Sequence, residues 1–266
     1  MAFFERIDAT RFAATEHVSG AWAIDEQHVA PVLGLLAHVV ETDRDSRRDD
    51  GPVIGRLSYD ILGTLPVEEV STRVRVLRAG RTIELVEARA AHGGRDAVAL
   101  RAWLMAERDT ATLRGTAFPS IPGPEEMARI DPGQRWPGGF ISSVDVRRCR
   151  LEPGRAAFWV RSQQPLLEGE PVGPLAHFTR LLDIANGMAV RADPHLVHFP
   201  NLDLTAHFFA QPAGEWVGFD TTVSFGSAGI GLTSSVLHDS AGPVGTLNQI
   251  LTIRPRGSSA TRPPSS

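Results

Sequence analysis

The sequence predicts an α+β fold in which two tandem units, each a helix with an antiparallel sheet, form one long curved sheet. Three observations carry that expectation. An amphipathic helix pattern is followed by four strand-like stretches, the same order returns later in the chain, and the two passages match weakly at separations of 147 and 148 residues. Solenoid repeats run about 20 to 50 residues, so a period this long implies duplicated domains.

In the first half, residues 26–40 place Val29, Val32, Leu33, Leu36, Val39 and Val40 on one side, the pattern of a helix laid against a sheet. Pro31 fits only its first turn. The run ETDRDSRRDDG then reads as a solvated connection. Strand patterns follow at 53–62, 69–78, 82–91 and 96–106, with hairpin turns at Ala79-Gly80 and Gly93-Gly94. In the second half a helix is expected over 174–188, with Phe178, Leu181, Leu182, Ala185 and Met188 inward. Strands are expected at 202–209, 216–225, 231–238 and 244–253, with turns at Ser227-Ala228 and around Ser240 to Gly242. RLSYDILGTLP from Arg56 lies over NLDLTAHFFAQP from Asn201, and Arg101 lies over Gln249. The expected organisation is an N-terminal unit over 1–116, a Pro/Gly-rich linker over 117–139, a C-terminal unit over 140–254 and a disordered tail over 255–266.

Composition excludes several functions. The formal net charge of −4 is spread along the chain, whereas nucleic-acid binding needs concentrated cation. A single cysteine, Cys149, excludes an intramolecular disulfide and a thiolate-clustered metal site. The N-terminus lacks a signal-peptide pattern, and no segment reaches the ~18 apolar residues that span a bilayer, so a cytoplasmic protein without a membrane span is expected. SFGSAGIGL has neither dinucleotide nor P-loop spacing, and no G-x-S-x-G elbow occurs. His195 and His198 lack further ligands in metal spacing. Asp203, Thr205 and His207 alternate as any solvated strand face does.

Two polar residues sit where apolar ones belong. Asp183 lies among Leu181, Leu182, Ile184 and Ala185, and a carboxylate there needs a reason because burying it unpaired costs several kcal/mol. It either edges the helix's exposed face or points into a cleft between the units to hold a water. Gln249 shares its side of a strand with Leu247, Leu251 and Ile253, so its amide bonds either backbone or a bound water or ligand. Asn201 after Pro200 is, on spacing alone, a turn residue.

Several segments in this order along the chain, RLSYDILGTLP, LRAGRTIELVEARAAHGGRDAVALRAWLM, HFTRLLDIANGM, FPNLDLTAHFFAQPAGEWVGFD and LHDSAGPVGTLNQILTIRP, resemble the TesB-like acyl-CoA thioesterases, in particular their actinobacterial branch. The likeness covers about residues 12–255. It implies a double hotdog fold, two long helices each wrapped by an antiparallel sheet. It also implies acyl-CoA as substrate, hydrolysis by an activated water, no cofactor, and a site in the second half. The family's aspartate falls on Asp183 and its glutamine on Gln249. Its hydroxyl residue falls on Asn201, a departure, since an amide holds a water but shares no hydroxyl proton. The first half then lends a wall of the acyl site, Phe178, Met188 and Phe208 are candidates to line an acyl channel, and the oxyanion donors are backbone N–H groups around Gly187 or on a strand edge. Two alternatives remain: a noncatalytic acyl-CoA-binding or assembly protein, and a hydratase or dehydratase, which the six-residue spacing of His177 and Asp183 disfavours. Association beyond one chain is expected to stop at a homodimer.

Overall fold

The structure is a computed structural model that describes residues 1–20 and 22–257. Its first half contributes β1 (Phe4–Arg6), β2 (Arg11–Ala14), α1 (Val29–Arg47), β3 (Val53–Ile61), β4 (Glu69–Arg78), β5 (Ile83–His92) and β6 (Arg95–Met105). The second contributes β7 (Ala128–Ile130), α2 (Gly139–Ser142), β8 (Val144–Glu152), β9 (Arg155–Ser162), α3 (Pro174–Thr179), α4 (Ala185–Met188) and β10 (Val197–His198). It continues through β11 (Asp203–Phe208), β12 (Val217–Phe225), β13 (Ile230–Asp239), β14 (Gly242–Thr252) and β15 (Arg254–Pro255).

Thirteen strands form one antiparallel sheet in the order β1-β2-β4-β5-β6-β3-β11-β14-β13-β12-β9-β8-β7. The order is nearly palindromic about the β3/β11 junction, as a duplicated unit requires when two edge strands pair and each covers the other's open hydrogen bonds. At that junction Ser58 pairs with Thr205, 147 residues away, and their hydroxyls are 2.9 Å apart. The helices lie on one face of the sheet, where α1 packs on β4, β5, β6 and α3, and α4 packs on β12 and β13.

The junction fixes how the halves correspond. Ile54 pairs with Leu104 and Asn201 bridges to Leu251, each followed by the same one-residue irregularity, so Ile54 stands in the place of Asn201 at the 147-residue separation. Ala102 likewise stands in the place of Gln249. The expected overlays of Arg56 on Asn201 and Arg101 on Gln249 are therefore off by two residues and one. A one-residue slip turns a strand side chain to the other face, and Arg101 indeed lies on the outer face, 3.8 Å from Glu87, with 59% of its side chain exposed. Arg101→Ala is expected to leave turnover unchanged and to shift stability by no more than about 0.5 kcal/mol in a urea titration.

Two helix expectations are corrected. α1 begins at Val29, with Pro31 in its first turn, but it continues through the charged run to Arg47. Those last turns are solvated and held by Arg47 to Asp43 four residues earlier and to Glu84 of β5. The expected helix over 174–188 is three pieces: α3, a 3₁₀ turn over Leu182–Ile184, and α4. Asp183, Asn186 and Gly187 are poor interior helix formers, and Arg180 ends α3 with its guanidinium buried, donating to Ser162 O and Gln164 O. Phe178, Leu181, Leu182, Ala185 and Met188 are all buried, as the apolar pattern predicts.

The eight expected strands all form, with ends shifted by at most two residues. Gly93 and Gly94 both take positive φ in the β5–β6 turn, which favours glycine at both places. Strands β1, β2, β7, β8, β9, β10 and β15 lie outside those eight. Segment 118–127 lies over the outer face of the second half, where Trp159 donates to Pro122 O at 2.7 Å and Phe118 stacks on Phe209. Of the expected tail, Pro255 pairs with Val197, next to the pairing of Arg254 with His198, and residues 258–266 lie outside the described residues.

Candidate active site

A cavity of about 330 Å³ opens between the halves. Ile61, Leu65 and Val98 come from the first half, and Asp183, Met188 and Asn201 from the second. The three residues expected at the site meet here. Asn201 Nδ2 donates to Asp183 Oδ1 at 2.7 Å, and Gln249 Nε2 donates to the same oxygen at 2.9 Å. Asn201 Nδ2 also donates to Asp203 O at 3.1 Å, which fixes the amide's rotation. Two amides thus hold Oδ1, while Oδ2 lies 3.9 Å from Nδ1 of His28, another residue of the cavity lining.

The elements explain this convergence. The break after α3 turns Asp183 out of the helical register on a 3₁₀ turn, and Gln249 faces inward from β14 with no exposed surface. Asn201 sits at the irregularity that precedes β11, where the bridge to Leu251 re-aims the chain. Asp183 is 7% exposed, and burial pushes its carboxyl from 3.8 up to about 7, against the downward pull of the Asn201 and Gln249 hydrogen bonds. Gln249 Oε1 and its cross-strand neighbour Thr233 Oγ1 are both buried without a hydrogen-bond partner.

The sequence reading missed His28, which precedes α1 and whose Nδ1 accepts from Ala30 N–H at 3.2 Å. Nδ1 also lies 3.9 Å from Asp183 Oδ2. Burial drives this imidazole down to about 3, so it is neutral and the contact is not an ion pair. Its position just ahead of Val29-Ala30-Pro31, where a polar N-cap is expected, was the available signal. Also missed were Trp22, Trp136 and Phe199, which line the cavity; Trp22 meets Trp136 edge-on at 4.9 Å and Phe199 at 5.4 Å. Gly20 and Gly138 let the two tryptophan segments cross: a Cβ on Gly20 would lie 2.3 Å from Pro137 O, and one on Gly138 would lie 2.3 Å from Ser19 O.

Other candidates lie elsewhere. His177 pairs with Arg180 rather than Asp183, and His207 is exposed. Thr205 bonds Ser58, and Asp203 Oδ1 accepts from Ile250 N–H. Met188 lines the cavity, whereas Phe178 and Phe208 pack on each other away from it. Among the described residues there is no cluster of potential metal ligands and no helix long and apolar enough to cross a membrane.

Solved structures share this fold. A hot dog fold protein of unknown function from Alicyclobacillus acidocaldarius superposes with a TM-score of 0.73 at 14% identity, covering 94% of this chain and 95% of its own. The acyl-CoA thioesterase II TesB2 from Mycobacterium marinum gives 0.66 at 16%, covering 96% and 97%. The tesB protein of Mycobacterium avium subs paratuberculosis gives 0.67 at 15%, covering 95% and 96%. At such identities the likeness establishes the double hotdog fold. The family follows from the sequence: residues 113–253 match the acyl-CoA thioesterase C-terminal domain and residues 18–105 the acyl-CoA thioesterase N-terminal domain. The first match alone spans more than half of the chain, and the chain belongs to the acyl-CoA thioesterase family. No curated protein matches the sequence.

Proposed function

We propose that the protein hydrolyses the thioester of fatty acyl-CoA by direct attack of water, with Asp183 as general base. The observation that carries this reading is the Asp183 carboxylate in the lining of a cavity between the halves, held on one oxygen by two amides, Asn201 and Gln249, with its other oxygen beside the lining residue His28. A water on Asp183 Oδ2 gives up its proton to the carboxylate as its oxygen attacks the thioester carbonyl carbon. Collapse of the tetrahedral intermediate breaks the carbon–sulfur bond, and Asp183 returns the proton to the sulfur. The products are free acid and coenzyme A, with no acyl-enzyme. A carboxyl near 7 suits both transfers, being partly ionised at neutral pH and strong enough to protonate the leaving thiolate.

The N-terminus of α1 supports the oxyanion role better than Gly187. Val29 and His28 line the cavity, and of the first helical turn it is Val29 whose N–H is available there, since Ala30 N–H is spent on His28 Nδ1 and Pro31 has none, while the dipole favours negative charge at this end. The first half supplies a wall without a second centre, since Ile54 and Ala102 occupy the places of Asn201 and Gln249. Asn201 takes over the family hydroxyl's task by donating to Asp183, so Asn201→Thr, which keeps one donor, is expected to retain kcat within about tenfold. Abolished turnover in a folded Asn201→Thr protein would show that the second bond, to Asp203 O, is essential.

The test is release of free thiol from acyl-CoAs of increasing chain length, and turnover above the solvent rate is expected for at least one. No release with any chain, alongside intact binding, would leave the noncatalytic acyl-CoA-binding reading. One observation favours a second chemistry: His28 lies beside Asp183 in the cavity lining, Nδ1 3.9 Å from Oδ2, an Asp–His pair of the kind hydratases use. An enoyl-CoA incubated with the enzyme separates the two, because hydrolysis frees thiol whereas hydration yields a hydroxyacyl-CoA with its thioester intact.

A further inference from the structure

A second cleft, of about 460 Å³, shares Trp136, Gly187 and Met188 with the reaction cavity. Its remaining walls come from β7, the turn over Pro132–Gln134 and Arg148 of β8, and three arginines reach it: Arg129, Arg135 and Arg148. Arg129 lies 3.2 Å from Asp145, a single carboxylate that Arg147 and Arg161 also approach. Neither Arg135 nor Arg148 has a carboxylate within ion-pair distance among the described residues. The acid in the cleft, Asp131, spends Oδ1 on Gly133 N–H at 2.9 Å, capping its turn. Arg148 is half-buried and donates to Met188 O at 3.3 Å, and burial, then the charge of Arg135, hold its guanidinium below the ordinary range. Two like charges confined in one cleft repel unless an anion lies between them. Guanidinium forks match phosphate geometry.

We propose that this cleft holds a phosphate group of the substrate's coenzyme A moiety between Arg135 and Arg148, with the pantetheine arm running past Trp136 to the thioester at Asp183. The proposal rests on the acyl-CoA hydrolase reading. It also gives a reason for the shared wall, because Met188 and Gly187 link the anion subsite to Asp183 through one short stretch of chain. A competing place is the lip formed by Arg254 and Arg256 beside His198, which packs on Trp22, but those arginines are exposed.

The experiment compares Arg135→Ala, Arg148→Gln, the double variant and an Arg254→Ala/Arg256→Ala control. Each is assayed on one acyl group carried by coenzyme A, by dephospho-coenzyme A and by N-acetylcysteamine, which has no phosphate. Adenosine 3′,5′-bisphosphate is titrated calorimetrically into the same proteins. The double variant is expected to raise KM for acyl-CoA by roughly ten- to a hundredfold, the loss of charge-assisted hydrogen bonds. Turnover stays within about twofold, the N-acetylcysteamine thioester is unaffected, and bisphosphate binding weakens in parallel. Arg135→Ala, an exposed position, carries part of the effect and guards against misfolding of the Arg148 variant. A KM rise for both nucleotide thioesters places the diphosphate in the cleft, and one for acyl-CoA alone places the 3′-phosphate. Equal rises on all three thioesters, unchanged KM for acyl-CoA, or a rise confined to the Arg254/Arg256 control overturns the proposal. A wild-type protein that hydrolyses none of the thioesters refutes the hydrolase reading instead, and the bisphosphate titration still decides the cleft.

Discussion

Asp183→Asn is expected to lower kcat for acyl-CoA by about 10²- to 10⁴-fold, the usual range for loss of a general base. KM should change little, because Asn keeps the oxygen that accepts from Asn201 and Gln249 and nearly the same volume. Stability should move the other way. Burial lifts this carboxyl from 3.8 to about 7, and a group whose folded-state pKa exceeds its unfolded value contributes stability that is fully present below the unfolded value. That contribution is lost as pH rises through the folded value, so the wild-type protein gives up on the order of 2–4 kcal/mol between about pH 4 and about pH 7. Asp183→Asn carries no such loss. Its thermal midpoint at about pH 8 is expected above that of wild type, with the gap closing toward about pH 4. Unchanged turnover in the folded variant would remove Asp183 from the chemistry, and a lower midpoint at high pH would mean that the buried charge is better compensated than its two amide bonds allow.

Gln249→Leu tests the support of that carboxylate. It removes one of two donors to Asp183 Oδ1 while conserving shape, and one fewer hydrogen bond to the charged form raises the carboxyl further above 7. Turnover at pH 7 is expected to fall by about ten- to a hundredfold, with partial recovery toward about pH 9 as the base ionises. Stability should hold or rise, because the change also removes Gln249 Oε1, a buried acceptor without a partner. Loss of activity with a stable fold separates a positioning role from collapse of β14. Loss of both would make Gln249 a core residue first.

Much of this site was legible because it breaks the apolar pattern. Asp183 and Gln249 are polar residues on faces that otherwise read as core, and the structure buries both against each other. Asn201 needed the family resemblance, since an asparagine after proline at a strand start has a sufficient backbone explanation. Long alternating strands such as β4 and β14 were readable, whereas β1, β2 and β7 have four residues or fewer, too short to show a period. The broken second helix was not legible, because its apolar spacing is helical on both sides of the break and the buried Arg180 that ends α3 makes its contacts with residues far back in the chain. His28, Trp22 and Trp136 reach the cavity only through tertiary crossings, including the Gly20/Gly138 approach. The slip of Arg101 onto Gln249 has a simple origin: a one-residue error costs little in a weak letter match, yet it reverses the face of a strand.

The pH dependence of kcat/KM for acyl-CoA hydrolysis, measured on wild type and on Asp183→Asn, tests the central claim most directly. The wild-type rate is expected to rise tenfold per pH unit on the acid side and to level off with an apparent pKa near 7, the value that burial gives the Asp183 carboxyl. The residual rate of Asp183→Asn should lack that limb. A wild-type profile flat from about pH 5 to about pH 9, or the same limb persisting in Asp183→Asn, would contradict Asp183 as the base.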